Sequence, residues 1–253
     1  MPKFRSYFSA DAERGSNFLI LDPRESHHLV RVMRARVGDA VEVLDGLGNC
    51  FNGLIEHDSS KGARIAVETT ESMERLMPEI TLVQAVPKGK AMDLILRMAT
   101  ELGATKIQPI FTSQGEVQLS EDRLLSKIDK WKLTMIEATK QCGLLWLPEL
   151  MEPLHFSKWQ ETAAKSKDSE SPIRLVASLE KGSESLLRTV QGMDGFSRTR
   201  IEVLVGPEGD FSNEEYASLK DLECIPVCLG RNVLRAETAA AYLLSVLDQA
   251  VRS

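Results

Sequence analysis

Two stretches near the C-terminus decide the fold: Gly206-Pro207-Glu208-Gly209-Asp210-Phe211-Ser212 and Leu229-Gly230-Arg231-Asn232-Val233-Leu234-Arg235-Ala236-Glu237-Thr238-Ala239-Ala240. Each follows a short apolar run, residues 201–205 or 225–229, of the kind that forms a buried strand. Each also leads into a helical pattern. In open α/β sheets, ligands bind in the crevice at the carboxyl ends of the strands. The two loops are therefore the first candidate for a binding site.

The residues of the first loop would allow its backbone to come close to a ligand. Gly206 and Gly209 lack a side chain, and Pro207 stiffens the turn between them. Ser212 and Glu215 fit a capping box, which predicts that a helix begins directly after the loop. The same pattern also fits a plain strand-to-helix turn, and this loop alone does not decide between the two interpretations.

The second loop favours a functional interpretation. Arg235 and Glu237 lie among small and apolar residues at the start of a predicted helix, residues 237–251. A merely structural connection needs neither charge. The alternative is a structural ion pair between Arg235 and Glu237 that holds the loop in place.

Taken together, the two stretches resemble the RsmE family, SPOUT-class enzymes that methylate N3 of uridine in small-subunit ribosomal RNA. Three more segments resemble signatures of the same family: His27-His28-Leu29-Val30-Arg31-Val32, Gln84-Ala85-Val86-Pro87-Lys88-Gly89 and Ala99-Thr100-Glu101-Leu102-Gly103. Each motif is weak by itself, but the five occur in the family's order and span nearly the whole chain.

The resemblance implies an architecture that periodicity alone does not give. It implies an α/β fold in which a C-terminal SPOUT trefoil-knot domain with a mostly parallel sheet, residues 73–253, follows a small N-terminal PUA-like β-barrel that binds RNA, residues 1–72. Members usually work as homodimers with the cofactor cleft at the dimer interface. General topological rules would reject a knot, so this expectation rests on the resemblance alone.

The resemblance also implies S-adenosylmethionine as the cofactor, bound in a bent form by the loops after three strands. In this chain the loops are the end near Ser178-Leu179-Glu180, residues 206–209 and residues 229–238. Apolar Leu229 and Leu234 are suited to sandwich the adenine ring. The implied cofactor contacts are Leu179, Gly206, Pro207, Glu208, Gly209, Leu229, Gly230, Leu234 and Arg235.

Methyl transfer to uridine N3 requires an aligned methyl donor and the loss of the N3 proton, which leaves negative charge on the base. Arg235 is our candidate to stabilise that charge. Glu237 is the candidate to accept the proton or to orient the arginine. Thr238 either hydrogen-bonds the substrate or caps the final helix. The identity of the general base stays open.

Short strands separated by turn residues occupy the first 72 residues and suit a small barrel. A helical pattern over residues 26–36 interrupts them, with His27, Arg31 and Arg34 on one face and Leu29, Val32 and Met33 on the opposite face. A basic stripe is usually a solvated face. The resemblance instead implies that the three basic residues contact RNA phosphates.

From residue 80 onward, strands and helices alternate, which predicts a mostly parallel sheet. The predicted strands include residues 80–86, 106–111 and 174–179, and the predicted helices include residues 90–102, 121–142 and 183–190. Residues 71–78 fit an interdomain linker, and residues 165–172 fit a surface loop.

Two lysines flank a glycine just before one of these helices. Lys88 and Lys90, on either side of Gly89, form an arrangement that can bind an anion. The chain lacks both the G-x-G-x-x-G fingerprint of dinucleotide-binding folds and the P-loop spacing. We therefore predict that Lys88 and Lys90 contact RNA rather than a nucleotide.

The composition fits an ordinary globular protein: 253 residues, 43% of them hydrophobic, with a formal net charge of -6. This charge argues against indiscriminate coating of nucleic acid, so RNA contacts must be local patches. No apolar run has membrane-spanning length and no secretory signal is visible, so the cytosol is the expected compartment; an organellar copy without its transit peptide would look the same. The four cysteines lack zinc-site spacing and are predicted to be buried, reduced thiols, and no metal site is predicted.

Three departures from the family pattern leave a second function open. Gln114 and Leu144 stand where arginine is expected, and Asp210 replaces a glycine. The first hypothesis is an S-adenosylmethionine-dependent methyltransferase. The second is an RNA-binding or ribosome-assembly protein that keeps the fold but has lost or changed its activity. The intact Arg235-Ala236-Glu237-Thr238 favours the enzyme, and the two missing arginines favour the alternative.

Overall fold

The structure is a computed structural model that describes residues 4–9, 12–115, 120–165, 171–180, 182–192 and 200–252. The chain divides into two compact units. The first comprises Met1–Arg75 and Ile136–Leu147, and the second comprises Leu76–Met135 and Pro148–Ser253.

A five-stranded sheet forms the first unit. Its strands are β1 (Phe4–Tyr7), β2 (Phe18–Ile20), β3 (Ala40–Leu44), β4 (Asn49–His57) and β5 (Arg64–Ser72), in the spatial order β1-β3-β4-β5-β2. β1 and β3 are parallel, and the other pairs are antiparallel. Side chains at alternating strand positions, such as Val41, Val43 and Phe51, fill the core beneath the sheet.

The helix between β2 and β3 differs from its prediction. Helix α1 (Pro23–His27) begins early because the Asp22 carboxylate accepts hydrogen bonds from two backbone N–H groups of its first turn, both at 2.9 Å. It continues as a π-helical segment (His28–Val32) and ends there. Arg34 lies beyond the helix with a φ of 62°, and Val32 is 59% exposed. The predicted helix over 26–36 is therefore confirmed only as far as Val32, and the predicted faces are wrong for Val32, which is exposed, and for Arg34, which lies beyond the helix.

A parallel sheet of eight strands forms the centre of the second unit. The strands are β6 (Glu79–Ala85), β7 (Lys106–Phe111), β8 (Glu149–Leu150), β9 (Leu154–His155), β10 (Ile173–Ala177), β11 (Glu184–Ser185), β12 (Arg200–Val205) and β13 (Ile225–Cys228). Their spatial order is β11-β13-β10-β12-β6-β7-β8, with β9 also paired to β7. Every pair is parallel. The predicted α/β class with a mostly parallel sheet is confirmed.

Six helices connect and cover these strands: α2 (Ala91–Glu101), α3 (Glu121–Cys142), α4 (Phe156–Lys165), α5 (Leu186–Gly192), α6 (Asn213–Asp221) and α7 (Ala236–Arg252). Residues 121–135 of α3 belong to the second unit, and residues 136–142 belong to the first. α7 packs against α2, α5 and β12. The apolar residues of β6, β10 and β12 are almost completely buried, as expected for a sheet covered by helices.

Several boundaries differ from the predicted ones. The helix predicted from residue 183 begins at Leu186, because Glu184–Ser185 pairs with β13 as β11. The strands β8 and β9 and the helix α4 were not predicted. Residues 166–170 of the predicted surface loop lie outside the described residues. Among the described helices, none combines the length and the apolar character that a membrane crossing requires.

Candidate active site

Three loops that follow neighbouring strands line one cleft. β13, β10 and β12 are adjacent and parallel, so their carboxyl ends meet at the same edge of the sheet. The cleft between the loops contains about 610 Å³ of space, including its open mouth.

The cleft gathers residues from all three predicted loops. Its lining comprises Ala177, Ser178, Leu179, Val205, Gly206, Pro207, Glu208, Asp210, Cys228, Leu229, Gly230, Asn232, Val233, Leu234, Ala236 and Ala239. Most of the predicted cofactor contacts are in this set. Gly209 and Arg235 are not, although both belong to the same loops. The predicted binding loops thus converge on one space, and two of the predicted contacts stand outside its lining.

Gly206 shapes the floor of the cleft. It is buried, and a Cβ atom at this position would lie 3.0 Å from Oδ1 of Asp210 and 3.3 Å from the ring of Phe211. In the third loop, Gly230 adopts a φ of 142°, which side chains rarely allow. Gly230 is therefore required by its backbone conformation, and a side chain at Gly206 would have to displace Asp210 or Phe211.

A chain of hydrogen bonds joins the ends of β10 and β12. The Tyr216 hydroxyl donates to the Asp210 carboxylate at 3.0 Å, and Asp210 also accepts from the Phe211 N–H at 2.9 Å. Burial raises the pKa of Tyr216; a hydrogen bond from Ser178 opposes this rise, and the negative charge of Asp210 adds to it. Tyr216 therefore remains a neutral donor at physiological pH.

The predicted capping box is present at the start of α6. The Ser212 hydroxyl accepts from the Glu215 N–H at 3.2 Å, and the Glu215 carboxylate accepts from the Ser212 N–H at 2.8 Å. Glu215 also accepts from the backbone N–H of Ser113 at 2.9 Å. Next to Ser113, the side chain of Gln114 packs over Gly209. The capping box thus fixes the loop after β7 beside the loop after β12.

The predicted catalytic residues lie at the junction between the third loop and α7. Arg235 is exposed between Leu234 and Ala236, which both line the cleft. Glu237 is half-buried and Thr238 is exposed, both in the first turn of α7. Within the described part of the chain, the two side chains Arg235 and Glu237 form neither an ion pair nor a hydrogen bond with each other. The structural ion pair considered from the sequence is thus not formed.

The predicted RNA contacts occupy two separate places. Lys88 and Lys90 are exposed in the loop between β6 and α2, where the Lys88 N–H lies 3.4 Å from the Glu208 carboxylate. His27 and Arg31 are exposed on the helical segments of the first unit. Arg34 is also exposed, in the turn that follows those segments.

Some residues of the cleft lining were not predicted from the sequence. Ala236 and Ala239 line the cleft about one helical turn apart. Small residues at this spacing let a helix approach a ligand closely, and this signal is present in the sequence. Asn232 and Val233 carried no signal. Cys228 also lines the cleft and is only partly buried, and Cys142 is exposed. The prediction that all four cysteines are buried is therefore wrong for these two, whereas all four are thiols.

Comparison with known proteins identifies both parts of the chain. Residues 74–248 match the family model of an RNA methyltransferase domain, and residues 21–68 match that of an RNA methyltransferase PUA domain. Ribosomal RNA small subunit methyltransferase E from Aquifex aeolicus is 31% identical over 238 residues, which cover 93% of this chain and 96% of that protein. The same-named protein from Synechocystis is 30% identical over 92% of this chain and 73% of that protein.

A solved methyltransferase structure has the same fold as this chain. A putative methyltransferase from Legionella pneumophila, determined in complex with the bound cofactor SAM, has a TM-score of 0.85 and 27% identity, and the match covers 99% of this chain and 98% of that chain. The fold, with a C-terminal SPOUT trefoil-knot domain and an N-terminal PUA-like barrel, is therefore the predicted one. On the family match to residues 74–248 and the relatives of 30–31% identity, the chain belongs to the RsmE family of SPOUT-class RNA methyltransferases.

Proposed function

We propose that this chain transfers a methyl group from S-adenosylmethionine to N3 of a uridine in small-subunit ribosomal RNA. One observation carries the proposal: in a chain of this family, the loops after β10, β12 and β13 line one cleft, and the exposed Arg235 stands between two residues of its lining. The relatives are named as methyltransferases of small-subunit ribosomal RNA, which supports the choice of substrate.

The residues of the cleft fit S-adenosylmethionine. Leu229 and Leu234 offer apolar surface for the adenine ring. Gly206 and Gly230 line the cleft without a side chain, so the backbone of the second and third loops can come close to a ligand. Of the other proposed contacts, Leu179, Pro207, Glu208 and Gly230 line the cleft, whereas Gly209 and Arg235 belong to the same loops but stand outside its lining.

The protein's own side chains have two tasks in this reaction: to accept the N3 proton and to stabilise the negative charge that its loss leaves on the base. When bound, S-adenosylmethionine supplies an electrophilic methyl carbon. The Arg235 guanidinium stabilises the negative charge that appears on the uracil ring as the N3 proton leaves. Glu237, two residues further on, accepts that proton or orients Arg235. Thr238 holds the substrate through a hydrogen bond.

RNA is bound through local basic patches, because the chain as a whole carries a net charge of -6. The proposed phosphate contacts are His27, Arg31, Arg34, Lys88 and Lys90, whose side chains are all exposed or partly exposed. We assign RNA binding to a domain of residues 1–72 and methyl transfer to a domain of residues 73–253.

We further propose that the protein works in the cytoplasm as a homodimer, on ribosomal RNA or on an assembled small subunit. Support for a dimer comes from an apolar groove between α5 and α7 that contains Leu187, Val190 and Val246. Leu187 is 49% exposed, and Tyr242 on α7 is 46% exposed. Apolar surface of this kind is typical of protein interfaces.

The proposed reaction is tested by identifying the methylated nucleoside. The purified protein is incubated with S-adenosylmethionine labelled on its methyl group and with unmethylated small subunits or deproteinised small-subunit RNA, and the digested RNA is separated by chromatography. We expect the label in N3-methyluridine. Label in another nucleoside would contradict the proposed position. Binding of cofactor and RNA without any transfer would instead favour an RNA-binding or ribosome-assembly protein. The presence of Gln114 and Leu144, where the family has arginine, favours that alternative.

Thiol labelling tests the position of the cofactor independently of activity. At pH 8, we expect Cys142 and Cys228 to react with iodoacetamide, whereas burial raises the pKa of Cys50 to about 11 and that of Cys224 to about 12, so these two thiols react slowly. Adding S-adenosylmethionine should slow the labelling of Cys228, which lines the cleft, and leave Cys142 unchanged. Peptide mass spectrometry measures each rate. Equal rates at Cys228 with and without cofactor would contradict the assignment.

A further inference from the structure

Asp210 occupies an unusual backbone position in the cleft. Its φ is 61°, in the left-handed region that few residues other than glycine adopt, although aspartate and asparagine tolerate it best. Its carboxylate is held by two donors, the Phe211 N–H at 2.9 Å and the Tyr216 hydroxyl at 3.0 Å. The negative charge of Asp210 is therefore fixed in place at a lining position.

The charged side chains that line the cleft have one sign. Among the described residues of the lining, Glu208 and Asp210 are acidic and none is basic. Tyr216 does not neutralise Asp210, because a phenol hydroxyl only shares its proton in the hydrogen bond, and its raised pKa keeps that proton in place. Within the lining, a ligand therefore meets only negatively charged side chains, those of Glu208 and Asp210.

The two forms of the cofactor respond differently to such a field. S-adenosylmethionine carries a positive sulfonium in addition to its amino and carboxylate groups. The product of methyl transfer, S-adenosylhomocysteine, keeps the amino and carboxylate groups but has a neutral thioether in place of the sulfonium. A fixed carboxylate in the cleft therefore attracts the methyl donor more strongly than the spent product.

We propose that Asp210 is a selectivity residue, whose carboxylate makes the cleft prefer the positively charged methyl donor over the neutral product. This inference rests on the proposed function, because it assumes S-adenosylmethionine as the cofactor. This preference would also favour release of the product, since methyl transfer removes the positive sulfonium charge that the Asp210 carboxylate attracts. A glycine at this position would permit the same backbone but supply no charge.

Calorimetric titration of the wild type and of Asp210→Asn tests the proposal. Asparagine keeps the size of the side chain, accepts the same hydrogen bonds and tolerates a positive φ. Three ligands are compared: S-adenosylmethionine, S-adenosylhomocysteine and sinefungin, which carries a charged amine in place of the methylated sulfur. We expect Asp210→Asn to weaken binding of the two charged ligands about five- to tenfold, as the loss of one charge pair at an effectively aqueous protein site predicts. Binding of S-adenosylhomocysteine should change less than about twofold.

Controls separate this result from a general loss of charge or structure. Asp221→Asn removes the same charge from the exposed end of α6, outside the lining of the cleft, and should leave all three affinities unchanged. Thermal unfolding of both variants confirms that they fold. An equal loss for all three ligands, or no loss for the charged ones, would overturn the selectivity proposal while leaving the proposed function intact. Failure of the wild type to bind S-adenosylmethionine would instead overturn the proposed function.

Discussion

Replacing Arg235 with alanine is expected to lower the turnover of N3-methyluridine by about 10²–10³-fold, the usual effect of removing one donor that stabilises a developing negative charge. The affinity for S-adenosylmethionine should change less than about twofold, because Arg235 is exposed and stands outside the cleft lining. Single-turnover rates on small-subunit RNA and calorimetric titration of the cofactor measure the two quantities separately. An effect confined to turnover is the mark of a group that acts on the transition state.

Two variants make this test specific. Arg97→Ala removes an equal charge from an exposed position on α2, outside the cleft lining, and should keep turnover within about twofold of the wild type. Arg235→Lys keeps the charge but loses the planar fork of the guanidinium, so it should recover only part of the rate. Near-normal turnover of Arg235→Ala with unchanged cofactor binding would rule out the proposed role. A larger loss of cofactor affinity with unchanged single-turnover rates at saturating cofactor would restrict Arg235 to a cofactor contact.

The strongest local patterns in the sequence gave the correct elements. The strand 106–111 and the helix 121–142 have the predicted bounds, and the glycines that directly follow the predicted helices 90–102 and 121–142, Gly103 and Gly143, adopt φ values of 79° and 77°. A positive φ at the residue that follows a helix depends mainly on that residue, usually glycine, and on its neighbours in sequence. A single sequence therefore contains enough information to predict them.

Elements that depend on distant partners were missed. β1 is a four-residue strand whose hydrogen bonds go to β3, far along the chain, and β11 exists because two residues pair with β13. The knot has no local signature, and only the family resemblance gave it. In the site, the glycine loops were visible in the sequence, whereas the network of Ser178, Tyr216 and Asp210 was not, because tertiary structure brings its members together.

The segment Ile136–Leu147 shows most clearly what sequence periodicity does not reveal. It follows directly in α3 from residues of the second unit, yet it packs within the first unit. A buried ion pair accounts for this packing. Lys140 Nζ lies 2.9 Å and 3.1 Å from the two oxygens of Glu25, and both side chains are almost completely buried. Glu25 also accepts hydrogen bonds from the Ser6 hydroxyl and the Tyr7 N–H.

Replacing Lys140 with alanine should therefore destabilise the first unit by about 3–5 kcal/mol, the usual cost of leaving one partner of a buried ion pair without the other. The Glu25 carboxylate would keep its bonds to Ser6 and Tyr7 but lose its counter-charge. Urea unfolding followed by hydrogen exchange at β1 and α1 measures the loss where it occurs. Lys132→Ala, an exposed position on the same helix, should cost less than about 0.5 kcal/mol.

A double variant separates the charge effect from lost packing. Glu25→Gln removes the buried charge but keeps an oxygen that accepts from Ser6 and Tyr7, and Lys140→Met keeps most of the side-chain volume. If the unpaired carboxylate causes the loss, the double variant will be more stable than either Lys140→Ala or Lys140→Met alone. If Lys140→Met alone is nearly as stable as the wild type whereas Lys140→Ala is not, the loss comes from packing. In that case the ion pair does not hold Ile136–Leu147 within the first unit, and the apolar contacts of the segment must do so.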